Sequence, residues 1–576
     1  MDKREIAHVL RVIARMLEIK GEEAFKVRAY ERAAESIERT SLQLEELAGE
    51  GRLHEIPGIG KNLEPKVREM VLSGRSSFLE KLMTEIPKGL LEVMQVPGIG
   101  PKTARLLYDT LGVKDLEDLE KAVLNHEIQK IPGLGPRREA MIAEGLSEVK
   151  KYSGRVTLGL ALPFAEHLIA AFRDKGIEGQ VVGEVRRCLE TVSSIDLLLA
   201  VRGDPTRALL RSGLQPFASE ELLCQAWRAE DEAFVFNTSL GVRLRLYAVF
   251  PEDFGLKMFW LSGPREHLEW MVSLAVRRGY DFNPSGLFRE SRKIEIPQEA
   301  DLYGILGLPP IPPEVRHRLD LCELARSGER ISLVDVDDIK GDLHIHTTWS
   351  DGVAGIEEMV RKARALGYKY VAITDHATRV KLINGLDPDR VLAQREEIRR
   401  ISSRYPEIAV LSGVEVDILK DGSLCLPDEI LSRLDIVIAS IHQDIGDQRG
   451  DLAERLLRAI ENPNVDVIGH PTGRLIGRRA GKSTGLEEVF EAAARRGTLM
   501  EINASPDRID LSEDMALQAY RFGVKMIISS DAHSPEGMED MRFGVLASAK
   551  RAGLPPAAIV NTQDLSKWFP VKRASS

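Results

Sequence analysis

The 576-residue chain has only four cysteines, Cys188, Cys224, Cys322 and Cys425, and no two stand at CxxC spacing. That excludes a disulfide framework and a cysteine-rich structural metal site, and it suits a reducing cytoplasm. Long apolar runs are missing as well. None approaches the roughly 20 residues a membrane-spanning helix needs, so no membrane partner is expected. The opening "MDKREIAHVLRVIARMLEIKGEE" reads as an amphipathic helix with acidic residues, not a secretion signal. Positive charge is in deficit: 79 Lys and Arg against 89 Asp and Glu give a net charge of −10. A protein that coats nucleic acid by bulk charge is thereby excluded. Binding to DNA has to come from a few local groups. The length exceeds what one core accommodates, so several domains are expected.

A short pattern occurs three times in the first 150 residues: "IPGIGKNLEPKV" from Ile56, "VPGIGPKTARLL" from Val96 and "IPGLGPRREAMI" from Ile131. Each is an apolar residue, Pro-Gly, an apolar residue, Gly, and then an amphipathic helical pattern. The glycine pairs Gly58 and Gly60, Gly98 and Gly100, and Gly133 and Gly135 allow a tight turn and close approach of another molecule. The helix that follows begins with free N–H groups suited to phosphate. Lys61, Lys102, Thr103, Arg137 and Arg138 lie just beyond the turns. These are candidate contacts to the DNA backbone, which read no sequence.

A further absence is chemical. "GEVRRCLETVSSIDLLLAVRGD", from Gly183, combines a Gly turn, two arginines, a strand pattern and the carboxylate Asp196. Two-metal phosphoryl transfer requires a cluster of carboxylates. The residue two positions earlier, which shares the face of Asp196, is Ser194.

After "ERISLVDVDDIKG" the pattern changes. Seven short apolar, β-branched runs follow: "GDLHIHT", "YVAITDH", "AVLSGVEVDI", "DIVIASIH", "VDVIGHP", "LMEINAS" and "KMIISSDAH". Helical stretches such as "IEEMVRKARALG" and "LEEVFEAAARRG" separate them. Such alternation predicts parallel strands closing into a barrel, with the active site at the strands' C-terminal ends. Six of the twelve histidines, His344, His346, His376, His442, His470 and His533, fall at those ends beside Asp351, Glu415 or Asp531. His344 and His346, two apart, face the same side of a strand. This ligand mixture suits manganese, zinc or iron and differs from a closed structural zinc site.

Together these segments resemble bacterial family X DNA polymerases with a C-terminal PHP (polymerase and histidinol phosphatase) domain. The resemblance implies a multidomain chain: an α-helical helix-hairpin-helix region, an α+β nucleotidyltransferase-like palm and thumb, and a distorted (β/α)7 PHP barrel. The bounds it implies are 1–82 for a lyase-like helical domain, 83–150 for a fingers-like domain, 151–254 for the palm, 255–325 for the thumb, 326–338 for a linker and 339–576 for the PHP domain.

"GEEAFKVRAYERAAESI" and "GIGKNLEPKVREMVLSG" look like the lyase-type domain, in which Lys66 would form a Schiff base beside Tyr30; an ordinary helical or phosphate-contacting lysine is the alternative. "GVRLRLYAVFPEDFG", "WLSGPREH", "GYDFNPSGLF" and "EADLYGILGLPPIPPEVR" extend the likeness through palm and thumb. The departures fall on the chemistry. The family's Gly-Ser is Gly183-Glu184, its first aspartate is Ser194, its third is Arg245, and Trp260-Leu261 replace two aromatics. Gly183, Arg187, Ser194, Asp196 and Arg245 would then be a vestigial polymerase site in which Arg245 points into the metal cavity and pairs with Asp196.

"DLHIHTTWSDG", "TDHA", "GVEVDI", "SIHQ", "GHPTGR" and "SDAH" match the PHP motifs. By that likeness three divalent metals are held, manganese ahead of zinc or iron. The first lies on His344, His346, Glu415 and Asp531, the second on Glu415, His442 and His470, and the third on Asp351, His376 and His533. Arg474 is either a phosphate clamp or part of a rim ion pair. The implied function is a cytoplasmic DNA-repair phosphoesterase, a metal-dependent 3′–5′ exonuclease with abasic-site or 3′-phosphate processing in some relatives. It would grip gapped or recessed DNA with an inactive polymerase core. An active gap-filling polymerase, a small-molecule phosphatase of the histidinol-phosphatase type and a non-catalytic DNA scaffold remain as alternatives.

Overall fold

The computed structural model describes residues 3–40, 42–202, 227–228, 233–378, 384–442 and 452–568. Two compact units divide the chain, Met1–Pro310 with Ile476–Arg479, and Ile311–Leu475 with Ala480–Ser576.

The first unit opens on the helix Lys3–Lys20, where Ile6, Leu10, Ile13 and Leu17 are fully buried at helical spacing. Val9, Met16 and Ile19 are buried too, so this helix is apolar over most of its circumference. It packs against Ala24–Arg39 and against Pro101–Leu111. One hydrophobic core consequently runs from Ile6 to Val149, and no break between two cores falls at residues 82 and 83. The three repeated turns lead into Glu64–Ser73, Pro101–Leu111 and Pro136–Tyr152. A proline near each helix start fits there because its missing N–H would be unpaired anyway.

A five-stranded sheet follows. Ser194–Ala200 pairs antiparallel with Gly179–Val182 and parallel with Arg243–Val249, which in turn pairs antiparallel with Ala233–Asn237. The helices Phe254–Ser262 and Arg265–Arg277, a small antiparallel sheet over Asp281–Ile294 and the helix Glu299–Ile305 complete the unit. This is the α+β body expected.

The second unit is a parallel barrel of seven strands in sequential order. They are β1 (Gly341–Ile345), β2 (Tyr370–Ile373), β3 (Ala409–Asp417), β4 (Ile436–Ser440), β5 (Val467–Ile468), β6 (Leu499–Asn503) and β7 (Met526–Ser529). A bridge between Ile345 and Ala532 brings the last strand back to the first. The strands are buried on both faces, as parallel strands under helices must be, but His344, Glu415, Glu501 and Asn503 are among the polar residues buried with them. The helix Ile356–Ala365 shows the complementary pattern, burying Ile356, Met359, Val360 and Ala363. In the stretch 326–338, expected as a linker, residues 326–330 are exposed, but the segment from Val334 on is packed. Val334 is fully buried and donates its N–H to the Leu554 carbonyl at 2.9 Å, and Lys550 holds Asp335 at 2.7 Å. Burying an apolar valine outweighs keeping this segment solvated.

Cys188 and Cys322 are buried and Cys425 is half-buried, with no disulfide among the three, while Cys224 lies outside the described residues. No described helix is long and apolar enough to cross a membrane.

Candidate functional site

The C-terminal ends of the barrel strands bring all nine expected ligands together. Glu415, at the end of β3 and 1% exposed, is central. Its Oε1 lies 3.0 Å from His470 Nε2 and 3.2 Å from His442 Nε2. Its Oε2 lies 2.6 Å from His376 Nδ1, 3.5 Å from His344 Nε2 and 3.7 Å from His346 Nε2. Asp531 Oδ1 sits 3.0 Å from His346 Nε2 and 3.7 Å from His344 Nε2. Asp351 lies 3.5 Å from both His376 and His533.

Ligand atoms gather in three groups: His344, His346 and Asp531; His376, Glu415 and His442; and His346, Asp351, His376 and His533. His346 and His376 each belong to two groups, so neighbouring centres would share ligands more than the expected division allowed.

These residues fit divalent cations. His344 Nε2, both ring nitrogens of His346, His376 Nδ1 and Glu415 Oε2 are buried without a hydrogen-bond partner. His376 Nδ1 and Glu415 Oε2 approach to 2.6 Å yet are not aligned for a hydrogen bond. Buried polar atoms are rarely left unpaired, and here they point at shared centres instead of at each other. His470 and Asp531 also have positive φ, 27° and 54°. Such backbone costs of order 1–3 kcal/mol and persists where surrounding contacts impose it, often at functional sites.

The electrostatics are those of a tightly coupled cluster. Burial opposes charge on His344, but Glu501, Glu415 and Asp531 outweigh it and hold its pKa well above the ordinary value. Burial, with His533 and His376 close by, drives His346 down to about 3. Burial also pushes Asp351 up, but His533 and His376 dominate and bring it to about 2.

Three residues that steer these side chains were not among the expected ligands: Glu501 and Asn503 lie outside the matched PHP motifs, and Asp417 lies within "GVEVDI". Glu501 accepts from His344 Nδ1 at 2.7 Å, and Asp417 holds His442 Nδ1 at 2.7 Å. Asn503 donates to Asp531 at 2.9 Å. Such partners fix ring orientation and tautomer in metal sites. The available sequence signals were a carboxylate inside the apolar "LMEINAS" run and an aspartate two residues after Glu415, on the same face. Arg474 donates to the Ile509 carbonyl at 3.3 Å and acts on buried Asp510. Its guanidinium is engaged with the loop after β6.

In the first unit the glycines of each repeated turn divide into two kinds. Gly58, Gly98 and Gly133 have φ of 86°, 88° and 88°, which the backbone reserves for glycine. Gly60, Gly100 and Gly135 lie outside that region, and a Cβ added there would meet nothing within 4 Å. The folded chain does not demand the second glycine of any turn; a closely approaching ligand would. Lys61, Arg137 and Arg138 are exposed nearby, and Lys102 is exposed in the first turn of its helix beside half-buried Thr103. Arg138 faces the Gly98 carbonyl at 3.4 Å, so the second and third turns pack together.

On the palm sheet Asp196 is the register partner of Arg245. The expected pairing is not made through the atoms that face inward: Asp196 Oδ1 and Arg245 Nε are both buried without a hydrogen-bond partner. Burial pushes Asp196 up to about 6 despite the pull of Arg245. A Cβ on Gly183, at φ 68°, would come within 2.4 Å of Asp196 Oδ2, so the turn and the carboxylate are in close contact. Arg187 donates to the Ser262 carbonyl at 3.2 Å, and Glu184 is held by Arg155 at 3.1 Å. Ser194 is buried and supplies no charge.

Lys66 donates to the Tyr30 hydroxyl at 2.6 Å and lies 3.9 Å from the Phe78 ring centroid. Burial, helped by Lys26, lowers its pKa, while burial of Tyr30 raises the phenol to about 12.

Fold and sites together define a helix-hairpin-helix and polymerase-like body joined in one chain to a PHP-type barrel whose mouth gathers histidines and carboxylates. Comparison with known proteins agrees segment by segment. Residues 1–76 match the helix-hairpin-helix domain, 90–148 the SAM-like helix-hairpin-helix tandem, 257–317 the DNA polymerase beta thumb and 342–505 the PHP domain. A Bacillus subtilis protein named DNA polymerase/3′-5′ exonuclease PolX is 36% identical over 559 residues, covering 96% of each chain. A probable phosphatase of Thermoanaerobacter sp. (strain X514) is 33% identical over 38% of this chain and 89% of its own. Another, from Clostridium acetobutylicum, is 28% identical over 33% of this chain and 78% of its own. The chain belongs to the PolX family.

Proposed function

We propose that this protein is a metal-dependent 3′–5′ exonuclease that processes gapped or recessed DNA ends in repair. The observation that carries it is the convergence of nine histidine and carboxylate side chains on one end of the barrel, several with buried, unpaired ligand atoms. Three divalent ions, manganese ahead of zinc or iron, would be held by His344, His346, Glu415 and Asp531, by Glu415, His442 and His470, and by Asp351, His376 and His533. Bound ions supply activated water and charge stabilisation for phosphodiester hydrolysis. The chain's own residues set the geometry. Glu501 and Asp417 orient His344 and His442. The second glycines of the three turns leave space for the DNA backbone to approach.

The palm holds DNA without extending it. Ser194 offers no charge, Arg245 stands where a third carboxylate is required, and Asp196 retains its proton to about pH 6. A lone carboxylate cannot hold the pair of ions that synthesis needs. The phosphatase alternative draws on relatives that match the barrel part, but a small substrate needs no array of backbone-binding turns. A second activity is favoured by one observation: Lys66, desolvated against Phe78 and Tyr30, suits Schiff-base chemistry at an abasic sugar.

One gel tests the main reading. Protein, manganese and four nucleotides are mixed with a labelled recessed primer–template. A primer that shortens, and does not with His344→Ala protein, supports it; a primer that lengthens refutes the inactive palm.

A further inference from the structure

Six of the seven barrel strands deliver a metal ligand at or just beyond their ends, and β6 delivers none. It carries Glu501 and Asn503 instead, two apart and so on one face, while Met500 and Ile502 between and before them face the apolar core. Both polar side chains are fully buried.

Their contacts converge on ligands from other strands. Glu501 Oε1 accepts from His344 Nδ1 at 2.7 Å and from the Ser529 hydroxyl at 2.6 Å. Its Oε2 accepts from the backbone N–H of His470 at 2.5 Å. Asn503 Nδ2 donates to Asp531 Oδ2 at 2.9 Å and reaches Glu501 Oε2 at 3.5 Å.

We infer that Glu501 and Asn503 are positioning residues that tie His344, His470 and Asp531 into one unit, so that the metal held through His344 and the metal held through His470 bind as a coupled pair. The inference rests on the metal reading above. An ionised carboxylate only accepts hydrogen bonds, so its contact keeps the proton of His344 on Nδ1. With a cation in place of a second ring proton, Nε2 is then the nitrogen turned toward the centre it shares with Glu415 and Asp531. The other oxygen fixes the backbone of His470 in its left-handed conformation, φ 27°. One side chain therefore sets a ring tautomer in one group and a backbone conformation in the next.

Glu501→Gln keeps the shape and removes this capacity. An amide has one accepting end, so its NH2 must confront either His344 Nδ1–H or His470 N–H. The loss spreads to the other contact, because the strand holds the amide in place.

The test is manganese titration of metal-stripped, full-length protein, with free manganese read by electron paramagnetic resonance. Wild type, Glu501→Gln, His470→Ala and Asn503→Ala are compared. Glu501→Gln should weaken two sites together by roughly 10–100-fold, the usual effect of losing a partner behind a ligand, whereas His470→Ala removes one site. Wild-type affinity in Glu501→Gln, or loss of a single site, overturns the inference. Should Glu501→Gln not fold, Asn503→Ala decides: weaker binding through Asp531 supports the unit, and unchanged binding overturns it. Wild-type protein that takes up no manganese sinks the metal reading itself, and this inference with it.

Discussion

Asp196 and Arg245 stand opposite each other on adjacent parallel strands, and the buried Oδ1 of one and Nε of the other have no hydrogen-bond partner. The carboxylate therefore feels desolvation more than it feels the guanidinium. With a pKa of about 6, Asp196 binds its proton more tightly in the folded chain than in the unfolded one. Its contribution to stability is greatest below about pH 4 and is lost as pH rises through 6. Asp196→Asn should remove that part of the pH dependence, up to roughly 3 kcal/mol. Urea unfolding at pH 4.5 and 7.5 reads it as a smaller gap between the two pH values than in wild type. An equal gap in both proteins would show that Asp196 is not desolvated.

Single removal of a central ligand should separate chemistry from binding. His344→Ala and Glu415→Ala should each lower exonuclease rate more than about 100-fold, beyond the effect of losing a supporting partner. Affinity for gapped DNA, read by fluorescence anisotropy, should stay near the wild-type value because the turns are untouched. Cleavage retained in both variants would move the active site elsewhere.

The second glycines give a test free of folding effects. Gly60→Ala and Gly100→Ala introduce a methyl that meets nothing in the protein, at ordinary φ. Melting temperature should not change. DNA binding should weaken, and the dependence of affinity on salt should flatten by about one phosphate contact per turn. Gly98→Ala is the contrast, since its Cβ would lie 2.4 Å from Met141 Cε at φ 88°, and it should destabilise the fold. Full DNA affinity in Gly60→Ala and Gly100→Ala protein would mean that these turns only pack.

Lys66 offers a pH-dependent readout. Burial and Lys26 favour its neutral amine. Borohydride trapping on DNA with an abasic 5′ end should therefore proceed near neutral pH and vanish in Lys66→Ala. Phe78→Ala lets water reach the ammonium group, raises the pKa and moves the trapping midpoint upward. A wild-type protein that traps nothing leaves Lys66 as a packed, phosphate-contacting lysine.

Much of this protein is local in origin, and local order is legible in sequence. Strand and helix periods located the barrel elements, because an apolar run between turn residues must be buried wherever it lies. The two-residue spacing of His344 and His346 put both on one face before any fold was considered. The first glycine of each pair fixed its turn, since only glycine takes that positive φ without strain.

Other features existed only once distant segments met. Glu501 is an unremarked acid in "LMEINAS" until the strand order sets it between His344 and His470. His346 and His376 are shared between ligand groups because the barrel brings β1, β2 and the loop after β7 to one rim. Val334 is a linker residue by position and a core residue by packing. That position 194 carries a serine was plain from the chain, but the burial of Asp196 was not. Residue types and spacing are written in the chain, so the sequence by itself determined which histidines and carboxylates are present and which strands carry them. How near two groups lie, and whether water or protein surrounds them, depends on contacts between residues far apart in the chain; the tertiary structure alone decided those distances and, through them, the charges.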